Sequence, residues 1–239
     1  MDESTPSTGD HRGRRGSPSI EPESEGRGLE EVFRALRDPR TDAATILGIL
    51  EDRRWQAYYK VRQTIVFRPD APLFISMRLL TTLWWRDLAR VVEDLRLYPP
   101  VRARAEQLLA EKTEEMSPGE RISLARFASR GLLKSLGESR DPRVVGALLC
   151  NPRLYEEDVL LIAGNEDAPA AVLSAVARSE RWGGNHLVKL ALTQNPKCPV
   201  ADSLRSLRGM PANDLRRIAE NPGTPRLVRI GAHRRLSED

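Results

Sequence analysis

An all-α fold is what this sequence predicts, and three observations predict it. Apolar residues recur three and four apart along most of the chain, the spacing of one helix face, and no stretch alternates with β-branched enrichment. Fourteen prolines from Pro39 to Pro225 punctuate these runs. A proline interrupts a helix but suits its first turn, so they mark helices of roughly 8 to 14 residues joined by tight turns. The third observation is that the chain aligns with itself, without a gap, at a shift of 127 positions.

In chain order, residues 1–27 are rich in Ser, Pro, Gly, Glu and Arg, with Ile20 the only large apolar residue after Met1. Such a segment cannot bury enough apolar surface to offset its ordering entropy, so a disordered tail is expected. Its six acidic and four basic residues sum to −2, so the net charge of +4 hides +6 on the remainder. Residues 28–239 read as a single helical domain. Within it, 29–109 form a first copy, 113–155 a set of bridging helices and 156–236 a second copy. The helical spacing is plain in Val32-Phe33-Leu36 and Ile46-Leu47-Ile49-Leu50, and again in Val159-Leu160-Ile162-Ala163, Val172-Leu173-Val176 and Leu204-Leu207.

The self-alignment places Trp55 on Trp182, Val61 on Val188, Pro69 on Pro196 and Pro72 on Pro199. Arg78, Leu80, Asp87-Leu88, Arg90, Glu93, Val101-Arg102, Ala105 and Leu109 also meet identical partners, which implies that one helical module was copied. A finer repeat of turns runs through Asn151-Pro152, Asn165-Glu166-Asp167-Ala168-Pro169, Asn195-Pro196 and Asn221-Pro222. Asn or Asp can leave a helix in an unusual conformation or bond local backbone groups, and the later proline pre-sets the next helix. Turn chemistry, rather than a row of ligands, is the expected role of these asparagines.

The stretch Leu187-Val188-Lys189-Leu190-Ala191-Leu192-Thr193-Gln194-Asn195-Pro196-Lys197-Cys198-Pro199 resembles the leucine-rich repeat variant, a relative of HEAT repeats. Ala219-Glu220-Asn221-Pro222-Gly223-Thr224-Pro225 is a second match. The segment from Ser123-Leu124-Ala125-Arg126 to Asn151-Pro152 is similar to uncharacterised bacterial HEAT-like proteins. The resemblance covers about 29–236 and implies a right-handed α-solenoid of short helices. The iron–sulfur centre described for the leucine-rich repeat variant needs a cysteine cluster that Cys150 and Cys198 cannot supply, so no cofactor is expected.

Composition narrows the function classes. Two cysteines and three histidines leave no metal-site spacing, and there is no CxxC, HExxH, GxSxG or Walker-type glycine loop. No catalytic residue or metal ligand is assigned. His186 and His233 align with Tyr59 and Glu106, outside the repeated pattern, and Cys198 aligns with Ala71, as a small turn residue would. The polar N-terminus has no secretory pattern and no apolar run approaches the roughly 20 residues of a membrane span, so a cytoplasmic protein is expected.

The two copies differ in their aromatic residues. Nine of twelve aromatic residues lie in the first copy, among them Tyr58, Tyr59, Phe74, Trp84 and Trp85, the candidate protein-binding residues. Trp84-Trp85 aligns with Pro211-Ala212, so the fold itself does not require tryptophan there. The stretch from Ala71 to Trp85 is apolar nearly all round, which leaves a deeply buried helix pair and a partner-facing patch both open. Arg205, Arg208, Arg216, Arg217, Arg226 and Arg229 crowd the C-terminal end and are candidates for a basic stripe. The reading that needs least is a non-catalytic scaffold binding another protein, with a homodimer as one form of it. The alternative is a nucleic-acid-binding protein using that stripe. It draws on a similarity of Trp84-Trp85-Arg86-Asp87 to the site of HEAT-like alkylpurine DNA glycosylases. Asp87 recurs as Asp214, which favours structural pairing over catalysis.

Overall fold

The computed structural model describes residues 22–238, which are helical with short turns and contain no strand. Most of the expected tail, 1–21, lies outside the described residues, and the first helix begins at Pro22. Sixteen helices are present among the described residues. They are α1 (Pro22–Arg37), α2 (Ala43–Glu51), α3 (Arg53–Gln56), α4 (Tyr59–Val66), α5 (Leu73–Leu80), α6 (Trp85–Glu93), α7 (Pro99–Thr113) and α8 (Pro118–Ala125). There follow α9 (Arg130–Gly137), α10 (Pro142–Leu149), α11 (Glu156–Gly164), α12 (Ala170–Ala177), α13 (His186–Gln194), α14 (Val200–Ser206), α15 (Ala212–Glu220) and α16 (Arg226–Glu238). None is long and apolar enough to cross a membrane.

Local chemistry sets where these helices begin. Proline occupies the first turn of α7, α8 and α10, where its missing N–H costs nothing. Pro72, Pro169, Pro199 and Pro211 stand one residue earlier, immediately before α5, α12, α14 and α15. Side-chain caps start others: Asp42 accepts from Thr45 N–H, Asn185 from Leu187 and Val188 N–H, and Ser117 closes a capping box with Glu120. Glu156, Glu157 and Asp158 sit in the first turn of α11, where carboxylates favour the helix dipole.

The described residues divide into two compact units, one up to Thr64 and one from Ile65 onward. In the first, α2 packs on α3, and Trp55 lies 6.0 Å from the Tyr58 ring with Arg54 over its own ring at 5.3 Å. Its described backbone passes close to the indole, since a Cβ at Gly28 would lie 3.2 Å from the Trp55 ring.

In the second unit, helices two apart pack on each other. Helix α8 lies against α10, α10 against α12 and α12 against α14, while α9 meets α11, α11 meets α13 and α13 meets α15. Leu124, Leu132, Leu133, Leu136 and Leu148 fill the space between them and are at most 2% exposed. The asparagine turns join this packing. Asn151 is fully buried and donates its amide to the carbonyls of Ala125 and Ala128, at 2.9 and 3.1 Å, while its own oxygen accepts from Arg153 N–H. Asn195 does the same with Ala163 and Asn165 at 2.8 and 2.9 Å, and accepts from Lys197 N–H. These carboxamides satisfy carbonyls at the ends of earlier helices, with φ of −75° at Asn195 and no left-handed backbone. Of the two behaviours the residue type allows, the structure uses the hydrogen bond.

Several helix starts keep one spacing. Helices α2, α4, α5, α6 and α7 begin at 43, 59, 73, 85 and 99, and α12, α13, α14, α15 and α16 begin 127 residues later in each case. Burial follows the same spacing: Val61 and Val188, Leu80 and Leu207, Leu88 and Leu215, Val101 and Val228, and Ala105 and Ala232 are all buried. Trp55 and Trp182 are buried alike, at 9% and 8%, and Arg181 stands over Trp182 at 4.5 Å as Arg54 does over Trp55.

Candidate functional site

The apolar stretch from Ala71 to Trp85 is divided between core and surface. Ile75, Leu79, Leu80 and Leu83 are buried, whereas Leu73, Phe74 and Trp84 are exposed, the last two at 63% and 69%. Trp84 occupies the residue before α6, where its side chain makes no cap bond. Trp85 is half-buried, and its indole N–H donates to Glu120 of α8 at 2.9 Å while Arg86 stands over the ring at 5.3 Å. Glu120 also accepts from the Ser117 hydroxyl and backbone, and these bonds, with that from Trp85, hold its carboxyl below the usual range. Trp85 therefore ties α6 to α8. In the first unit, Tyr58 is 38% exposed and Tyr59 half-buried under Arg62.

Three adjoining grooves open on the second unit. One, of about 480 Å³, runs past Thr81, Thr82, Trp84 and Trp85 to Lys112 and Glu120. The next, of about 610 Å³, lies between α6 and α8 and is lined by Phe67, Trp85, Ala89, Leu124 and Phe127, with Arg86 and Arg90 at its edge. A third, also about 610 Å³, separates α8 from α10 and is lined by Ile122, Arg126, Phe127, Ala147 and Cys150. Trp85 is common to the first pair of grooves and Phe127 to the second, so they form one trough. Phe127 is the ridge within it and is 71% exposed.

Sequence reasoning missed Phe127 because it lies in the bridging segment, which has no partner in the self-alignment. Phe67 was hidden at a helix end, where an aromatic residue reads as core. The available signal was weak: Phe127 lies two residues beyond α8 and stands out of its period.

The candidate arginines lie on α14, α15, α16 and the turn after α14. Arg205 bonds Asp202 at 2.9 Å and Arg217 lies 3.9 Å from Asp214. Arg208, Arg216 and Arg226 are exposed, with no carboxylate in ion-pair reach among the described residues. Arg229 is half-buried, and its Nε is buried without a hydrogen-bond partner.

Asp87 pairs with Arg90 at 3.3 Å, and Asp214 meets His186 at 3.0 Å. Burial pushes the Cys198 thiol up, away from the reactive thiolate. Among the described residues no group of His, Cys, Asp or Glu is placed to hold a metal ion. No family model, curated protein or solved structure matches this chain.

Proposed function

We propose that the chain is a protein-binding scaffold, an internally duplicated α-solenoid of short helices whose exposed aromatic residues dock another protein. The solenoid reading is supported by helices packing two apart, and the duplication by helix starts, buried positions and Arg–Trp pairs that recur 127 residues on.

One observation carries the docking reading. Phe74 and Trp84 are largely exposed, and the aligned places hold Ala201 and Pro211 in helices with matching starts. Packing does not call for those two rings, and large exposed rings are what interface anchors are made of. The test compares the full chain with a Phe74→Ala/Trp84→Ala variant as bait for crosslinked partners. The expected result is at least one protein held by the wild type and lost from a variant of unchanged helicity. An identical set of partners, or loss of helicity, contradicts the reading. If the partner is a second copy, sedimentation velocity reports a dimer that the variant dissociates.

The alternative reading, nucleic-acid binding through the C-terminal arginines, is favoured by the exposed Arg208, Arg216 and Arg226, which have no carboxylate in ion-pair reach among the described residues. It requires affinity that falls steeply with salt, and no binding at about 50 mM salt removes it.

A further inference from the structure

We propose that the trough formed by α6, α8 and α10 is a docking site for an acidic linear peptide carrying a large apolar anchor. This rests on the scaffold reading and adds both a place and a partner chemistry to it. The apolar part of the trough is Phe67, Trp85, Ala89, Leu124, Phe127 and Ala147, which suits a buried side chain.

Charge complementarity specifies the rest. Most charges along the trough are answered within the protein: Arg90 by Asp87, Arg96 by Asp94, Arg143 by Asp141, and Glu93 by Arg153. Between α6, α8 and α10 the surplus is Arg86 and Arg126, both exposed and without a carboxylate in ion-pair reach among the described residues, while the far end of the trough beside Trp84 carries Lys112, Glu115 and Glu120. Arg86 also acts through space on Glu120, so Arg126 is the more available cation. It adjoins Phe127, so an acidic residue next to the apolar anchor meets a guanidinium beside the ridge.

The same features favour peptide over single-stranded nucleic acid. Base stacking needs open ring faces. Here Arg86 stands over Trp85 at 5.3 Å and Arg90 over Phe67 at 4.9 Å, so one face of each of these rings is covered by the protein's own side chains, and the exposed Phe127 is a single ring rather than a row of stacking platforms.

The test selects from a random 12-residue peptide display library against the immobilised full chain. Selected peptides are then titrated against the wild type, Phe127→Ala and Arg126→Glu. Both substitutions are at exposed positions, and helicity is checked by circular dichroism. The expected peptides carry surplus Asp and Glu around Phe, Trp or Leu, and lose about tenfold or more in affinity to either variant. Exchanging the peptide's Glu for Lys should restore affinity for Arg126→Glu. The proposal is overturned if no peptide is enriched, if the peptides lack an acidic surplus, or if neither variant weakens them. Displacement of the peptides by a thymidine 20-mer at low concentration overturns it in favour of nucleic acid. Peptides lost instead from Phe74→Ala/Trp84→Ala overturn the trough and leave the scaffold reading standing. An unchanged partner set for that double variant, with peptides still lost from Phe127→Ala, does the reverse.

Discussion

The segments α4–α7 and α13–α16 have helices that start at matching residues, yet they solve the same packing problem with different chemistry. At one matched position Ile75 is buried in α5, while in α14 the buried residue is Asp202. Asp202 accepts from the Ser174 hydroxyl of α12 at 2.5 Å and bonds Arg205, with Arg178 at 3.7 Å. At another, Arg68 stands where Asn195 holds two carbonyls of an earlier turn. Outside, Phe74 and Trp84 face Ala201 and Pro211. Helix starts are thus held in common, whereas buried polar links and exposed rings are local choices.

The largest expected effect comes from breaking a polar link that only the later segment uses. Asn195→Ala removes both side-chain bonds and leaves the Ala163 carbonyl without its partner, while the Asn165 carbonyl keeps Ala168 N–H, at a cost of about 2–4 kcal/mol. Asn221→Ala, where only the local bond to Gly223 N–H is found, should cost about 1 kcal/mol or less. Denaturant midpoints of the two variants check this order, and equal losses would break the comparison.

Next in size is the exchange of one solution for the other. Asp202→Ala should destabilise by about 1–3 kcal/mol, since Ser174 loses its partner while the exposed arginines return to water. Writing the first segment's residues into the second, Ser174→Leu with Asp202→Ile, should recover most of that loss, because apolar replacements of buried ionic groups are often neutral or better. Thermal unfolding of the single and double variants decides it.

Backbone differences rank third. Gly209, matched to Thr82, has φ of 68°, a conformation that costs a side-chain-bearing residue about 1 kcal/mol. Gly209→Ala should lower stability by about that much, measured by chemical denaturation.

The smallest effect is in pH dependence. Turns at Asp52, Asp94 and Asp141 each hold the arginine two residues on, and that side-chain bond is the main cause of their lowered carboxyl pKa, down to about 2 at Asp141. A carboxyl with a folded pKa below its unfolded value stabilises fully above the unfolded value near 3.8, and the benefit disappears as pH falls towards the lowered one. The asparagine turns at 165, 195 and 221 do not titrate. Stability should be flat from about pH 7 to 5 and fall below about 4, less steeply in Asp141→Asn.

Much of the architecture was legible because the relevant residues act locally. Proline and Asn–Pro turns mark helix boundaries regardless of tertiary context, and the three-and-four spacing marks the buried face. The shift of 127 even anticipates which positions are buried, as at Leu80 and Leu207. The site was only half legible. Leu79 and Trp84 are both large and apolar, and nothing local says that one packs inside and the other faces water; that depends on which helices lie beside α5 and α6. The trough depended on Phe127 and Arg126 meeting residues some forty positions earlier, a juxtaposition without a sequence period. Asp202 was similarly opaque, since its partners Ser174 and Arg178 come from α12 and its end, and only Arg205 lies on its own helix.

On the scaffold reading, Phe74 and Trp84 serve a partner and not the core. Its most direct test is the equilibrium unfolding free energy of Phe74→Ala/Trp84→Ala beside the wild type, with partner retention read on the same preparations. The claim predicts a stability change within about 1 kcal/mol and loss of the partner. A loss of about 3 kcal/mol or more, the cost of emptying a packed core, with partner binding following stability, would contradict it.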